Sequence, residues 1–169
     1  CYHKAEHHFI PLDAAPSGTV FLAAASQRTT RIRLGSLVLL LPFYEPLRLI
    51  EEICMLDHLS NGRLEIGIGK GISPAEHTLW GEDPETARER FEEAFEILRT
   101  GLAKPTFSFS GAHHAFENVS LPHRPLQKPH PSFWYPGNVD YAGKHRLNTI
   151  TAGPPDAIKN AMSHFRRQL

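Results

Sequence analysis

Only two cysteines, Cys1 and Cys54, occur in 169 residues, and no CxxC spacing joins them. That count excludes a disulfide framework and a zinc-finger arrangement, and it fits a reducing compartment, so a cytoplasmic protein is expected. Neither sign of charge is in excess, since 18 Lys and Arg balance 18 Asp and Glu. Such a balance gives no electrostatic footprint for nucleic acid. Unbroken apolar runs such as 37–41 fall far short of the ~20 residues that span a bilayer, and no membrane partner is expected. A basic-then-apolar leader is missing. So are the phosphate-binding GxxxxGK[ST], the zinc-binding HExxH and the nucleophile pattern GxSxG, which sets aside three common catalytic designs. There is no starting methionine, and the chain reads as though it opens in the middle of something.

What is present is a globular composition, 41% hydrophobic, cut by turn signals into alternating strands and helices. Residues 1–5 read as a strand running into the loop Glu6-His7-His8. Pro11, Pro16 and Gly18 break the chain. Ser17 can cap a helix through TVFLAAASQ, which is apolar on nearly every side and so expected to be buried. RIRLGSLVLLL, 31–41, reads as a strand covered on both faces in its second half. Pro46 opens a helix in which Leu49, Ile50, Ile53, Leu56 and Leu59 repeat at helical spacing, with Cys54 packed among them and Asn61-Gly62 as the stop. RLEIGIG, 63–69, is a second clear strand, followed by the loop Gly69-Lys70-Gly71. Asp83-Pro84-Glu85 predicts a helix start, running to about Leu102 with Phe91, Ala94, Phe95 and Leu98 on one face.

Residues 105–131 differ: a hairpin turning at Ser110-Gly111, with His113-His114 at the surface, then a proline-rich stretch running extended over the surface. A strand at 132–136, a turn at Gly137-Asn138, a helix at 140–147, a strand at 148–152 and a closing helix with Ile158, Met162 and Phe165 inward complete the chain. The alternation argues for an α/β fold with a parallel sheet, one domain over 1–169 with the 105–131 excursion inside it.

In such folds ligands bind beyond the carboxyl ends of the strands. That rule selects Glu6-His7-His8, residues 40–43, Gly69-Lys70-Gly71 and residues 135–138. Gly69 and Gly71 allow close backbone approach and Lys70 supplies a cation, so this loop is either a phosphate seat or a plain turn. IGIGKGIS lacks the third glycine of the dinucleotide fingerprint. The histidine pair offers acid–base chemistry near neutral pH or a structural role. HxxxHH on a strand and loop does not bring three rings to one centre, and no metal is expected.

Taken together, EHHF, RIRLGSLVLLLP, EPLRLIEEICMLDHLSNGRLEIGIGKG and FSFSGAHHAFENVSLPHRPLQKPHPSFWYPG resemble the bacterial-luciferase-like flavin-dependent monooxygenases over nearly the whole chain. The resemblance implies a (β/α)₈ TIM-barrel type fold, reduced FMN as cofactor and molecular oxygen as co-substrate, one oxygen atom entering a small organic substrate and the other leaving as water. It implies a separate flavin reductase and association as a homo- or heterodimer. Position by position, His7 matches the family's active-site histidine near the flavin, and Lys70 matches a basic residue, commonly Arg, that holds the flavin phosphate. Gly69 falls where luciferase has a reactive cysteine. Leu37–Val38 matches a non-prolyl cis peptide beneath the flavin ring, and Gly137 and Asn138 match a phosphate-contacting turn. A deazaflavin-dependent hydride-transfer enzyme and a non-catalytic flavin-binding fragment are the alternatives the resemblance leaves open. A closed barrel has eight strands, whereas five are expected here, near 1–5, 31–41, 63–69, 132–136 and 148–152. The expectation is therefore an open partial barrel, poorly active by itself, against a shortened relative that closes with fewer strands or by pairing with a second copy.

Overall fold

The computed structural model describes residues 1–10 and 15–169; Pro11, expected to break the chain, lies outside them. The parallel sheet is built on β4, Leu64–Gly69, all six of whose residues are buried. On one side of it lie β2, Leu34–Ser36, and β3, Leu39–Leu40. These pair with successive parts of β4, Gly35 with Glu65 and Leu39 with Ile68. The strand expected over 31–41 is thus two pieces, divided at Leu37–Val38, whose peptide bond is cis as the resemblance implied. Beyond β2 lies β1, Tyr2–Lys4, and β7, Ser132–Trp134, flanks β4 on the other side. The strand expected at 148–152 is reduced to one parallel bridge, Trp134 with Asn148. The Tyr135 and Gly137 N–H groups donate to the Asn148 and Ile150 carbonyls at 2.8 and 3.1 Å. Among the described residues nothing hydrogen-bonds β1 to it, so the sheet is open.

The helices α1, Gly18–Arg28, α2, Pro46–Leu59, and α4, Ala87–Ala103, cover the sheet. Ser17 accepts the Val20 N–H as expected of a cap. However, α1 is not buried all round, and Val20 is 69% exposed. A helix laid on an open sheet has one face to bury, and small alanines leave the other at the surface at little cost. Leu59 is also exposed, at the end of α2 where the helix clears the sheet, just before Asn61 and Gly62 turn left-handed. Cys54 is buried among apolar residues, and burial pushes its thiol up to about 11. The Asp83 signal marks a turn rather than a helix start. Its carboxylate accepts the Glu85 N–H at 2.9 Å, and α4 begins four positions on. A further short helix, α3, Pro74–Leu79, stands where no element was expected. Phe91, Ile97, Leu98 and Leu102 of α4 are fully buried in the same core as Ile50 of α2 and Ile68 of β4.

Near the amino end of β4, Glu65 accepts from both the Arg33 guanidinium just before β2 and the Trp134 indole at the end of β7, linking the strands on either side of β4. The hairpin β5, Thr106–Ser110, with β6, Ala115–Ser120, is present as expected. The proline-rich stretch is docked rather than merely extended. The buried Asp57 carboxylate accepts the Gln127 N–H and side-chain amide at 2.9 and 2.8 Å. The closing helix α6, Pro155–Arg166, follows α5, Val139–His145, and buries Phe165.

His113 and His114 are half-buried rather than at the surface, because the hairpin tip is latched to α4. Glu93 accepts the N–H groups of Ala112, His113 and His114 at 2.5–3.1 Å. Burial by itself would raise the Glu93 pKa, but these N–H groups and the His114 ring outweigh it and hold the carboxyl below its usual 4.5. A carboxyl depressed in the folded state contributes stability above the unfolded pKa and loses it as pH falls through the folded one. Amide protection at Ala112 and His114 should therefore weaken below about pH 4.5, and Glu93→Gln should abolish that pH dependence in a hydrogen-exchange series.

Candidate active site

The segments at the carboxyl ends of the strands meet around a cavity of about 240 Å³. His7, Leu37, Val38, Gly69 and Lys70 all line it, together with Glu6, Leu40, Ile68, Glu76, Tyr135 and Pro136. Five of the seven site residues selected from the sequence are thus brought together. Gly137 and Asn138 lie just past Pro136 and are not in the lining. Asn138 instead caps α5, its Oδ1 accepting the Tyr141 N–H at 2.9 Å, and Gly137 makes the left-handed turn before it.

Backbone proximity shapes this cavity. A Cβ at Gly67 would sit 2.2 Å from the Ser36 carbonyl oxygen, so the strand beside the cis peptide admits only glycine there. At Gly69 a Cβ would lie 2.6 Å from Val38 Cγ2. Val38 therefore fills the space that any side chain at 69 would need. Gly69→Ala is expected to destabilise the protein by about 1–3 kcal/mol through overpacking. Adding Val38→Ala should recover at least half of that loss, and denaturant unfolding of the two single variants and the double variant measures the coupling. Gly71, at φ +84°, turns the loop over the buried His77 ring, 2.8 Å from where a Cβ would be.

Lys70 is exposed, and its Nζ donates to the Gly71 carbonyl at 3.1 Å. Among the described residues no carboxylate pairs with it. Its charge is felt locally: His77 is pushed below its usual pKa first by burial and then by Lys70. An unneutralised ammonium between two glycines, at the end of an apolar floor of Leu37, Val38, Leu40 and Ile68, fits a molecule with a flat apolar body and an anionic tail, as FMN has.

The two histidines face different surroundings. His7 lines the cavity, whereas the His8 ring is buried between Trp80 and Phe43 at 5.1 and 5.8 Å. His8 Nε2 stands 2.8 Å from Glu6, whose other oxygen accepts the Tyr44 hydroxyl at 2.8 Å. Burial raises the Glu6 pKa, and its bonds to His8 and Tyr44 pull part of the way back. Burial together with the neighbouring Glu6 charge pushes Tyr44 up as well. Glu6 also lines a second cavity of about 350 Å³, walled by His8, Phe9, Phe43, Tyr44 and Trp80, with no Lys or Arg among its described lining residues. Sequence reasoning passed over Glu76, which is 2% exposed. The available signal was Ser73-Pro74-Ala75-Glu76, the S-x-x-E pattern of a helix start. Among the described residues there is no group of three His, Cys, Asp or Glu placed to hold a metal, and no helix is long and apolar enough to cross a membrane.

A parallel sheet whose strand ends carry this constellation is the architecture of a (β/α)₈ barrel, present here in part. The model of the luciferase-like monooxygenase family matches residues 3–169, and the chain belongs to that family. It is 43% identical to protein y4wF of Sinorhizobium fredii, over 99% of this chain and 50% of that protein. It is 29% identical to the oxygenase component of the flavin-dependent trigonelline monooxygenase of Acinetobacter baylyi, over 95% of this chain and 47% of that one. The crystal structure of monooxygenase RslO1 from Streptomyces bottropensis superimposes with a TM-score of 0.90 at 29% identity, covering 98% of this chain and 53% of that one. The chain thus spans about half the length of the curated relatives it matches.

Proposed function

We propose that the protein is the oxygenating component of a flavin-dependent monooxygenase of the cytoplasm, which transfers one atom of molecular oxygen to a small organic substrate while the other leaves as water. The observation that carries this reading is the Lys70 ammonium, paired with no carboxylate among the described residues, at one end of the cavity whose floor is Leu37–Val38 and whose wall carries His7. Lys70 Nζ would hold the phosphate of FMN, and Leu37, Val38, Leu40 and Ile68 would give the flavin an apolar, water-excluding floor. Bound reduced FMN supplies the electrons that activate oxygen. His7 accepts and returns a proton at the reacting edge. The neighbouring aromatic cavity, which has Glu6 in its wall and no Lys or Arg among its described lining residues, suits an uncharged, largely apolar substrate and disfavours an anionic one. The description of the trigonelline enzyme as an oxygenase component supports a separate reductase as the source of reduced FMN.

The test is oxygen uptake. With photoreduced FMN the protein should consume oxygen faster when an accepted organic substrate is added, and labelled oxygen should appear in the product. Substrate oxidation with a deazaflavin and no oxygen use would replace this reading with hydride transfer. Flavin binding with no substrate-dependent uptake in any assay would leave a non-catalytic flavin module.

A further inference from the structure

Helix α3 opens on Ser73-Pro74-Ala75-Glu76, and Ser73 accepts the Glu76 N–H at 3.3 Å in the manner of a capping box. In such a box the acid would turn back to its own cap. Glu76 does not. Its carboxylate reaches the segment after β1, accepting the His8 N–H at 2.7 Å and standing 3.5 Å from His7 Nδ1. A carboxylate that is 2% exposed is expensive unless partnered. The His8 N–H supplies its hydrogen bond, and the His7 ring stands in charge contact at 3.5 Å with no hydrogen bond between the two.

We infer that Glu76 is the positioning residue of His7, holding the proton on Nδ1 so that Nε2 is the atom that exchanges protons with the cavity. The inference rests on the reading that His7 serves the flavin site. The physical ground is simple. An ionised carboxylate only accepts hydrogen bonds, whereas a neutral imidazole carries one N–H and one lone pair. A lone pair on Nδ1 aimed at Glu76 would meet negative charge, while an N–H there is attracted. Nε2 then keeps its lone pair and can take a proton. The imidazolium so formed is stabilised by the anion behind it, and returns the proton from the same atom. The hydrogen bond from His8 N–H fixes the carboxylate against the chain that carries His7, so anchor and ring move together.

The tautomer can be read directly, without turnover. In the ¹⁵N-imidazole spectrum of the labelled protein above the His7 titration, with the His7 signals identified by their loss in His7→Gln, Nδ1 should be the protonated nitrogen. Glu76→Gln keeps an oxygen for the His8 N–H but loses the charge, and it should shift His7 toward the Nε2-protonated form. The same variant should lower kcat on the order of 10²-fold, at the low end of what a general base contributes, with KM little changed, and Glu76→Asp should recover part of it. A wild-type His7 protonated on Nε2, or a tautomer indifferent to Glu76→Gln, overturns the assignment. If Glu76→Gln fails to fold, the wild-type spectrum still decides. Failure of the flavin reading shows elsewhere, as equal binding of FMN and riboflavin, and leaves the tautomer result standing.

Discussion

His7→Ala is expected to lower turnover by roughly 10²–10⁴-fold, the usual worth of a positioned acid–base group, while FMN affinity changes by no more than a few-fold. His7 lines the cavity without belonging to its apolar floor, and the cation assigned to the phosphate, Lys70, is on a different loop. Removing the ring therefore deletes proton handling and leaves the binding surface. His8→Ala should behave in the opposite way. Its ring is buried against Trp80, Phe43 and Glu6, so its loss leaves one oxygen of the buried Glu6 carboxylate without its partner, Tyr44 still holding the other, at a cost of about 1–3 kcal/mol that appears first as a lower melting temperature. Turnover, flavin titration and thermal unfolding measured on both variants separate the two. A His8 variant that folds normally and loses more turnover than His7→Ala would show that the catalytic histidine is the second of the pair.

FMN should bind roughly tenfold to a hundredfold more tightly than riboflavin, the value of one charge-assisted contact of about 1.5–3 kcal/mol, and Lys70→Ala should erase most of that preference. The two ligands share the ring and differ in the phosphate, so their ratio isolates the contact from everything the floor contributes. Lys70 is free to make it, since its Nζ donates only to the adjoining Gly71 carbonyl among the described residues and pairs with no carboxylate there. Lys70→Arg should retain the preference or increase it, because a guanidinium can offer two parallel N–H groups to a phosphate where an ammonium offers a point charge. Fluorescence or calorimetric titration of the unaltered protein and the two variants with both ligands reads all six constants. Equal affinities for FMN and riboflavin in the unaltered protein would remove Lys70 from the phosphate site.

Local patterns made much of this molecule legible. RLEIGIG is a strand because its glycines bound an alternating apolar run, and the residues after it lie in the cavity because parallel strands present their carboxyl ends to ligands. The helix over 46–59 follows from its periodicity and its terminal Asn61-Gly62. The failures have physical causes as well. The break between β2 and β3 lies within a continuously apolar stretch, where periodicity carries no information about a peptide-bond isomer; family resemblance alone pointed there. Asp83 hydrogen-bonds as a cap does, but in a turn, because the same side-chain chemistry serves both. Glu76 was invisible as a site residue because its partners, His7 and His8, are almost seventy positions away along the chain.

Glu65 and Gly69 stand at opposite ends of β4, four residues or about 13 Å apart along an extended strand. At one end Glu65 binds Arg33 and Trp134 and locks the register of three neighbouring strands. At the other, Gly69 and the loop after it shape the cavity and take no part in that lock. Natural variation can thus exchange the residues that choose a ligand without loosening those that align the strands. A library randomised at the cavity-facing loop positions of the carboxyl ends, with Gly67, Gly69 and His8 kept, should return mostly folded proteins with altered ligand preference, whereas one randomised around Glu65 should return mostly unfolded ones.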